Sequence, residues 1–234
     1  MYLPPLGNPF QQKTLDTCFK IMDSVNSNPE ISRIENIEKG NLAKFSRLGY
    51  RHYSKPADYF YLKADILGLK GNPYKSQRWA YNYFMRNNSA EFSEFEVKDI
   101  KAAIRLCKAW KDKRKHTSSE KLYQWMIEDN YLAQKKAVEN FKKIGLQGYK
   151  IKIKGKLCAY TLGFKLNKQT FCVLCETCDL SYKGISAFIF REFCRKLSEY
   201  KYVNVMDDSG LDRLRKIKLA YHPKGLIENF VVAR

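Results

Sequence analysis

The 234-residue sequence contains no long hydrophobic run, and this absence excludes one broad class of protein. Its apolar stretches, such as Ala187–Phe190, are far shorter than the roughly 18 residues that a membrane-spanning helix needs. No secretory signal pattern opens the chain, because Pro4, Pro5 and Pro9 interrupt its first apolar stretch. We therefore expect a soluble, cytoplasmic protein without a transmembrane segment.

Several signatures of enzymes are missing as well. The chain has no P-loop, no HExxH motif and no Ser-His-Asp pattern. The segment YKGISA, 182–187, lacks the glycine-rich pyrophosphate loop of typical acetyltransferases. A hydrophobic content of 44% and an aromatic content of 14% nevertheless exclude a disordered chain. The sequence therefore predicts a folded domain without a common catalytic motif.

Seven cysteines, an odd number, indicate reduced thiols rather than a disulfide framework. Cys172, Cys175 and Cys178 form a C-x2-C-x2-C pattern, with Cys158 on the preceding predicted strand. Such spacing can hold zinc or an iron–sulfur cluster. Side chains alternate between faces along a strand, however, so Cys172 and Cys175 should point to opposite sides of the sheet. The sequence favours structural thiols over metal ligands, and we predict no metal and no cofactor.

Positive charge is concentrated in the C-terminal part of the chain. Residues 1–97 contain 13 Lys+Arg and 10 Asp+Glu, a net of +3, whereas residues 98–234 contain 30 and 14, a net of +16. The high net positive charge by itself requires no binding partner, because a solvated basic surface would account for it. Its concentration in one region favours a polyanionic partner, either nucleic acid or an anionic membrane surface.

Hydrophobic periodicity predicts an α+β fold. Helical spacing covers residues 13–26, 74–86, 99–111, 120–144, 185–197 and 211–219. Strands are predicted at 59–62 and 91–97, in three consecutive segments between 149 and 178, and at 200–206 and 228–233. In the first segment of the three, Lys150, Lys152 and Lys154 alternate with apolar residues, so we expect these lysines on an exposed face. An antiparallel meander followed by alternating helices and strands is typical of an α+β sheet domain.

The stretch GLKGNPYKSQRWAYNYFMRN, 68–87, combines basic and aromatic side chains on one predicted helix. Lys75 and Arg78 lie within its first turns, where they could meet a phosphate or a carboxylate. We expect Trp79, Phe84 and Tyr83 to pack the helix onto the sheet. An ordinary amphipathic helix with a basic outer side is the competing interpretation.

Two further segments could bind an anion. In ETCDLSYKGISAFIF, Lys183 and Gly184 precede a predicted helix whose free N–H groups could hold a phosphate. An ordinary strand–loop–helix joint explains that pattern equally well. In DDSGLDRLRKIKLAYHP, Leu214, Ile217 and Leu219 form an apolar stripe that we expect to be buried.

Lys218 lies between two positions of that stripe. Its stem should therefore be partly covered and its amine directed along a groove edge. Pro223 ends the helix and places Tyr221 and His222 at its exposed end.

Three segments taken together resemble the phosphatidylglycerol lysyltransferase C-terminal-domain-like family, which belongs to the GNAT-type acyltransferase superfamily. They are YLKADILGLKGNPYKSQRWAYNYFMR, AVENFKKIGLQGYKIKIKGKLCAYTLG and GLDRLRKIKLAYHP. The likeness extends from Leu3 to Phe230, and its most specific features are the closing KLAYHP and a KGxxYxxxRxxxNxF pattern that includes Arg78 and Asn82. Lipid-modifying members carry an N-terminal membrane portion, so the chain is more similar to the stand-alone, soluble branch.

The resemblance implies tandem GNAT-like (acyl-CoA N-acyltransferase-type) mixed sheets flanked by helices, with halves at 1–97 and 98–234. The likeness begins at the LPPLG loop, which implies a truncated first half without its opening strands. It also implies transfer of an aminoacyl group from aminoacyl-tRNA, or from another phosphate-rich donor, to a lipid head group or other small acceptor.

On this basis we expect Glu176 or Asp179 to act as general base at the open edge of the sheet. Lys218 and His222 are expected to neutralise developing charge or to hold a phosphate. The expected substrate-binding residues are Lys75, Arg78, Asn82, Lys183, Gly184, Arg215 and Tyr221.

An inactive protein is the alternative. Lipid-transferring members tend to have an acidic residue near the helix start GISAF, where this chain has Ser186 and Ala187. The chain would then be a GNAT-like module that binds RNA or an anionic surface, and any contact with a membrane would be peripheral. A groove in which Glu176, Lys218 and His222 converge would favour catalysis.

Overall fold

The computed structural model describes residues 4–5 and 10–234, and this part of the chain forms eight α-helices and eight β-strands. Its α-helices are α1 (Gln12–Val25), α2 (Leu42–Arg47), α3 (Lys63–Gly68), α4 (Lys75–Asn87), α5 (Ile100–Lys115), α6 (Lys121–Glu139), α7 (Ile185–Lys196) and α8 (Asp212–Leu219). Its β-strands are β1 (Arg33–Ile37), β2 (Arg51–Leu62), β3 (Ala90–Glu94), β4 (Gln147–Ile153), β5 (Lys156–Lys165), β6 (Thr170–Cys178), β7 (Tyr202–Asn204) and β8 (Gly225–Ala233). The predicted α+β class is confirmed. The LPPLG loop at the start lies mostly outside the described residues.

The chain forms two compact units. The first contains the described residues up to 59 together with Asp207–Arg215 and Gly225–Arg234, and the second contains Phe60–Met206 and Lys216–Lys224. Strand β2 and helix α8 therefore contribute residues to both. The predicted halves, 1–97 and 98–234, are a different division, and their relation as two copies of one fold stays a prediction.

In the first unit, β8 lies between β1 and the start of β2. Strands β1 and β8 are antiparallel. The spacing of Leu15, Phe19 and Met22 places them on one face of α1, and this face packs with Ile34 and Val232 of the two strands. This apolar cluster is the core of the first unit.

The second unit contains a sheet in the order β2, β7, β6, β5, β4, β3. Its neighbouring strands are antiparallel, except that β6 and β7 are parallel. The parallel pairing covers only Thr170–Cys172, opposite Tyr202–Asn204. Within the described chain, the rest of β6 therefore has an edge that β7 does not pair, and this open edge positions the site described below.

Helices cover both faces of the second sheet. Leu106 of α5 and Val138 of α6 pack against Tyr160 and Leu162 of β5. Phe84 of α4 and the start of α7 pack against β4 and β5 on the opposite face, where Ala159 points. Few positions on the central strands are therefore exposed.

This double cover makes one sequence prediction wrong. Lys150 was expected on an exposed face, yet its side chain is only 2% exposed. Its amine donates a hydrogen bond to Glu96 at 2.9 Å and another to Asp99, which is also buried. Lys152 is nearby, 3.5 Å from Asp99. Lys150 is thus part of a buried ion-pair cluster beneath the start of α5 and does not contribute to a basic surface.

Two predicted boundaries also differ. Strand β2 begins at Arg51, well before the predicted position 59, and α6 ends at Glu139 although helical spacing continues to 144. Residues 51–58 carry polar side chains and a proline, which mask the strand signal.

Candidate active site

Glu176 lies on β6 beyond the last residue that pairs with β7. Cys178, two residues further along the strand, packs with Ile185 and Ile189 of α7. Because alternate residues of a strand share a face, the Glu176 side chain also lies on the side of the sheet that α7 covers. The Cys178 thiol, 3.9 Å from Glu176 Oε1, is the one hydrogen-bond partner of this carboxyl among the described residues. Among the residues that the structure describes, this partly buried carboxyl at an open strand edge therefore has no ion-pair partner.

Burial raises the pKa of Glu176 to about 8, and the contact with Cys178 offsets only part of this effect. The cause is the loss of hydration by the charged form. A carboxyl that titrates near neutral pH can both accept and return a proton, which is the property required of a general base.

Tyr221 lies within electrostatic range of Glu176. Its ring makes edge contacts with Phe190 of α7 and Tyr61 of β2, at centroid distances of 5.2 and 6.3 Å. Burial, and then the nearby Glu176, raises the pKa of Tyr221. Its hydroxyl therefore stays protonated at neutral pH and can donate a hydrogen bond.

Sequence reasoning did not identify Thr161. This residue lies directly opposite Glu176 in the β5–β6 ladder, so both side chains lie on the same face. Thr161 Oγ1 is buried and has no hydrogen-bond partner among the described residues. Only the strand register, which the sequence alone does not fix, brings this hydroxyl beside the carboxyl.

Asp179, the other predicted general base, has a different environment. It accepts hydrogen bonds from the Ser181 N–H and hydroxyl, and it lies 3.7 Å from Lys113 and 4.0 Å from Lys156. Burial alone would raise the pKa of Asp179, but the Ser181 hydrogen bonds and then the two lysines lower it. It lines a cavity of about 590 Å³ formed with α5 and the turn between β4 and β5. Of the two carboxyls, Glu176 is better suited to accept a proton.

Lys218 is held by backbone carbonyls. Its amine donates to the carbonyl oxygens of Val205 and Met206, at 2.6 and 3.1 Å. These atoms follow the end of β7.

The apolar stripe predicted for α8 is wrong. Ile217 and Leu219 are 52% and 45% exposed, and Leu214 is only partly buried. The partly covered face of the helix instead contains Leu214 and Lys218, which are four residues apart and so lie on the same side. The apolar stem of the lysine is therefore covered in place of Ile217 and Leu219.

His222 lies beside the start of α4. Its Nε2 is 3.1 Å from the Pro73 carbonyl oxygen, and its ring makes an edge contact with Tyr74. The Tyr74 hydroxyl donates to the Tyr221 carbonyl at 3.3 Å. The two most specific patterns of the resemblance, KGxxYxxxRxxxNxF and KLAYHP, are therefore in direct contact.

Arg78 and Gly184 both have structural contacts. The Arg78 guanidinium donates to the carbonyls of Leu69 and Gly71, and so holds the turn before α4. Gly184 has a φ of +86°, and a Cβ there would be 2.1 Å from the Ala80 carbonyl oxygen. Glycine thus permits the close approach of α4 and α7.

The expected packing of α4 is right for Phe84, which is buried, and wrong for Trp79 and Tyr83, which are 51% and 37% exposed. The Trp79 ring lies beneath the Lys183 amine. Lys75 and Asn82 are exposed on the same helix.

Arg215 belongs to the first unit, where its Nε donates to Asp208 at 3.0 Å. Tyr221 lies within electrostatic range of Glu176, whereas the Lys218 amine and the His222 ring contact backbone carbonyls. The catalytic and binding roles of all these residues stay predictions.

The cysteine pattern departs from simple alternation. A register shift places one extra residue in β6 between Val173 and Cys175. Cys172 therefore pairs with Phe164, which packs against the same cluster as Cys175, and the prediction that Cys172 and Cys175 face opposite sides is wrong. Burial raises the pKa of Cys175 to about 12 and also raises that of Cys178. Within residues 4–5 and 10–234, no three His, Cys, Asp or Glu side chains are grouped to hold a metal ion.

Comparison with known proteins identifies related sequences and folds. The family described as phosphatidylglycerol lysyltransferase, C-terminal, matches residues 1–233. No curated protein matches the sequence. No helix in the described part of the chain has the length and apolar character needed to cross a bilayer.

Several solved structures share the fold. A conserved protein of unknown function from Bacteroides thetaiotaomicron is 26% identical, with a TM-score of 0.75 over 94% of this chain and 74% of its own. L-PGS from Bacillus licheniformis has 15% identity and a TM-score of 0.63, covering 95% of this chain and 73% of its own. A tandem GNAT protein from the clavulanic acid biosynthesis pathway has 9% identity and a TM-score of 0.52, covering 95% and 69%. The predicted GNAT-type fold is confirmed.

Proposed function

Since the chain belongs to the phosphatidylglycerol lysyltransferase C-terminal family, we propose that it transfers an aminoacyl or acyl group to a small acceptor such as a lipid head group. The donor is aminoacyl-tRNA or another phosphate-rich ester. If the acceptor is a lipid, the protein reaches it by peripheral contact with an anionic surface. The observation that carries this proposal is Glu176 at the open edge of β6, a carboxyl that has no cationic partner among the described residues and has Tyr221 within electrostatic range.

The chemistry needs no covalent enzyme intermediate, because the donor ester is already activated. The Glu176 carboxylate takes the proton of the acceptor amine or hydroxyl as that group attacks the ester carbonyl. The tetrahedral intermediate then loses the ribose oxygen, and Glu176 returns the proton to this leaving oxygen. Tyr221, which stays protonated, donates a hydrogen bond to the oxyanion. Positioning of the two substrates supplies the rest of the rate enhancement.

Single-turnover transfer tests the proposal. Purified protein is mixed with tRNA carrying a labelled amino acid and with lipid and peptide fractions, and the label is followed. We expect Glu176→Gln to slow transfer by about 100-fold or more, the scale of general-base catalysis. Asp179→Asn and the α6 surface variant Glu139→Gln should keep most activity and serve as matched controls.

The same experiment separates the rival function. A native chain that binds RNA but moves no label would identify a catalytically inactive module that binds RNA or an anionic surface. Transfer at the native rate by Glu176→Gln would reject this residue as the base while leaving the reaction class in place.

A further inference from the structure

The outer surface of α4 carries two stacked aromatic rings. Trp79 and Tyr83 are 51% and 37% exposed, and their ring centroids are 5.2 Å apart with an interplanar angle of 30°. The Lys183 amine lies 4.7 Å from the centroid of the Trp79 ring and 5.5 Å from that of Tyr83. We call Trp79, Tyr83 and Lys183 the aromatic platform.

The platform is not needed to pack the helix. The buried residues of α4 are Tyr81 and Phe84, which lie on the side that faces α7. Two large aromatic side chains are kept on the surface instead, where they lose the stabilisation that burial would give them. Exposed aromatic groups arranged together in this way mark a contact surface.

The segment that contains α4 carries charge of one sign. Residues 66–90 contain four Lys or Arg side chains and no Asp or Glu. Helical spacing places Lys75, Asn82 and Arg86 on the same face of α4 as the two rings. A cationic surface with exposed ring faces is complementary to an anion that also carries planar groups.

We propose that the aromatic platform binds an unpaired segment of RNA, with a base stacked on the rings and Lys183 and Lys75 at the neighbouring phosphates. Every base has a π-face, so stacking on Trp and Tyr combined with lysine contacts is the common means of binding single strands. This inference rests on the proposed function and extends it, because it places the unpaired end of the tRNA donor on α4 next to the start of α7.

A bilayer surface is the other macromolecule that Trp, Tyr and Lys side chains can meet. The face of α4 that carries the platform favours RNA. Ser76 and Asn82 flank the rings, and no aliphatic side chain shares their helical face. Interfacial helices insert such aliphatic groups into the lipid.

The test is binding of a labelled single-stranded RNA of about eight nucleotides, measured by fluorescence anisotropy at several salt concentrations. Trp79→Ala should weaken binding about tenfold, because one stacked base is lost. Trp79→Phe, which retains a ring, should restore most of the affinity. Trp125→Ala is the matched control, since Trp125 is 65% exposed on α6, outside the platform.

Salt dependence separates the two kinds of contact. Lys183→Ala should reduce the slope of log affinity against log salt by about 0.7, whereas Trp79→Ala should leave the slope unchanged. Equal affinity of Trp79→Ala and the native chain, or no binding by the native chain, would overturn the inference. So would a loss in Trp79→Ala of binding to phosphatidylglycerol vesicles without a loss of RNA binding. Because this assay needs no transfer, a protein that binds RNA through the platform but moves no acyl group would contradict the proposed function alone.

Discussion

Replacing Glu176 by glutamine should make the stability of the protein less dependent on pH. In the folded chain burial raises the pKa of Glu176 from 4.5 to about 8. As the pH rises above about 4.5, the unfolded state therefore releases this proton before the folded state does. The free energy of unfolding falls from that pH to about 8 and then levels off. Glutamine cannot ionise, so the variant does not undergo this loss.

The size of the effect follows from the same pKa. Each pKa unit corresponds to about 1.4 kcal/mol, so a rise from 4.5 to about 8 corresponds to roughly 5 kcal/mol. The carboxyl is only partly buried, and contact with water reduces this cost. We expect Glu176→Gln to be more stable than the native chain by about 2–3 kcal/mol at alkaline pH, and similar to it at acid pH.

Urea unfolding at about pH 5, 7 and 9 measures this difference. Glu139→Gln, the surface control on α6, should follow the native curve, because this variant keeps the Glu176 carboxyl. Stability curves for Glu176→Gln and the native chain that stay parallel across this range would refute the view that Glu176 is desolvated. The reason for choosing it as general base would then fail.

Three further substitutions test how the site is supported. Lys150→Met should cost about 3 kcal/mol of unfolding free energy, because it leaves the buried Asp99 without its closest cation; a loss below about 1 kcal/mol would contradict the buried pair. Gly184→Ala should cost about 2–4 kcal/mol by thermal or urea unfolding, since its Cβ would meet the Ala80 carbonyl from a left-handed backbone conformation; native stability would argue against the close approach of α4 and α7. Thr161→Val should leave stability unchanged or raise it by up to about 1 kcal/mol, because it removes a buried hydroxyl that has no hydrogen-bond partner in the described part of the chain; Thr161→Ser is the control that keeps the hydroxyl.

The sequence predicts where helices and strands occur better than it predicts which of their side chains are buried. The helix of α4 and the three-stranded meander follow from local periodicity, and the structure has both. The predicted orientation of a side chain is wrong where another element covers the strand or where the strand has a bulge. Lys150 is buried because α5 covers that side of the sheet. Cys172 lies on the other side than predicted because β6 has one extra residue. Trp79 is exposed although large aromatic residues are usually buried. Neither covering helices nor a bulge leaves a signal in residue spacing.

The site shows the same limit. Glu176 could be selected from the sequence because it lies near the end of an apolar strand, just before a loop. Thr161 could not be selected, since its place beside Glu176 depends on strand register. Tyr221 could be selected through KLAYHP, whereas its contact with Phe190 depends on tertiary packing. Local chemistry is visible in the sequence, and the convergence of side chains from different strands and helices is not.

Lys218 gives a physical reason for the open edge on which the proposal depends. Strand β7 stops at Asn204, the last residue to pair with β6, and the Asn204 side chain accepts a hydrogen bond from the Met206 N–H at 2.7 Å. Met206 has a φ of +59°, a conformation that costs a residue other than glycine about 1–2 kcal/mol. The two hydrogen bonds from the Lys218 amine to the Val205 and Met206 carbonyls offset that cost and hold the chain as it turns away from β6. An apolar residue on the covered face of α8 could not donate them. A lysine at this point of the helix therefore keeps β7 short, and a short β7 leaves the β6 edge beside Glu176 available to a substrate.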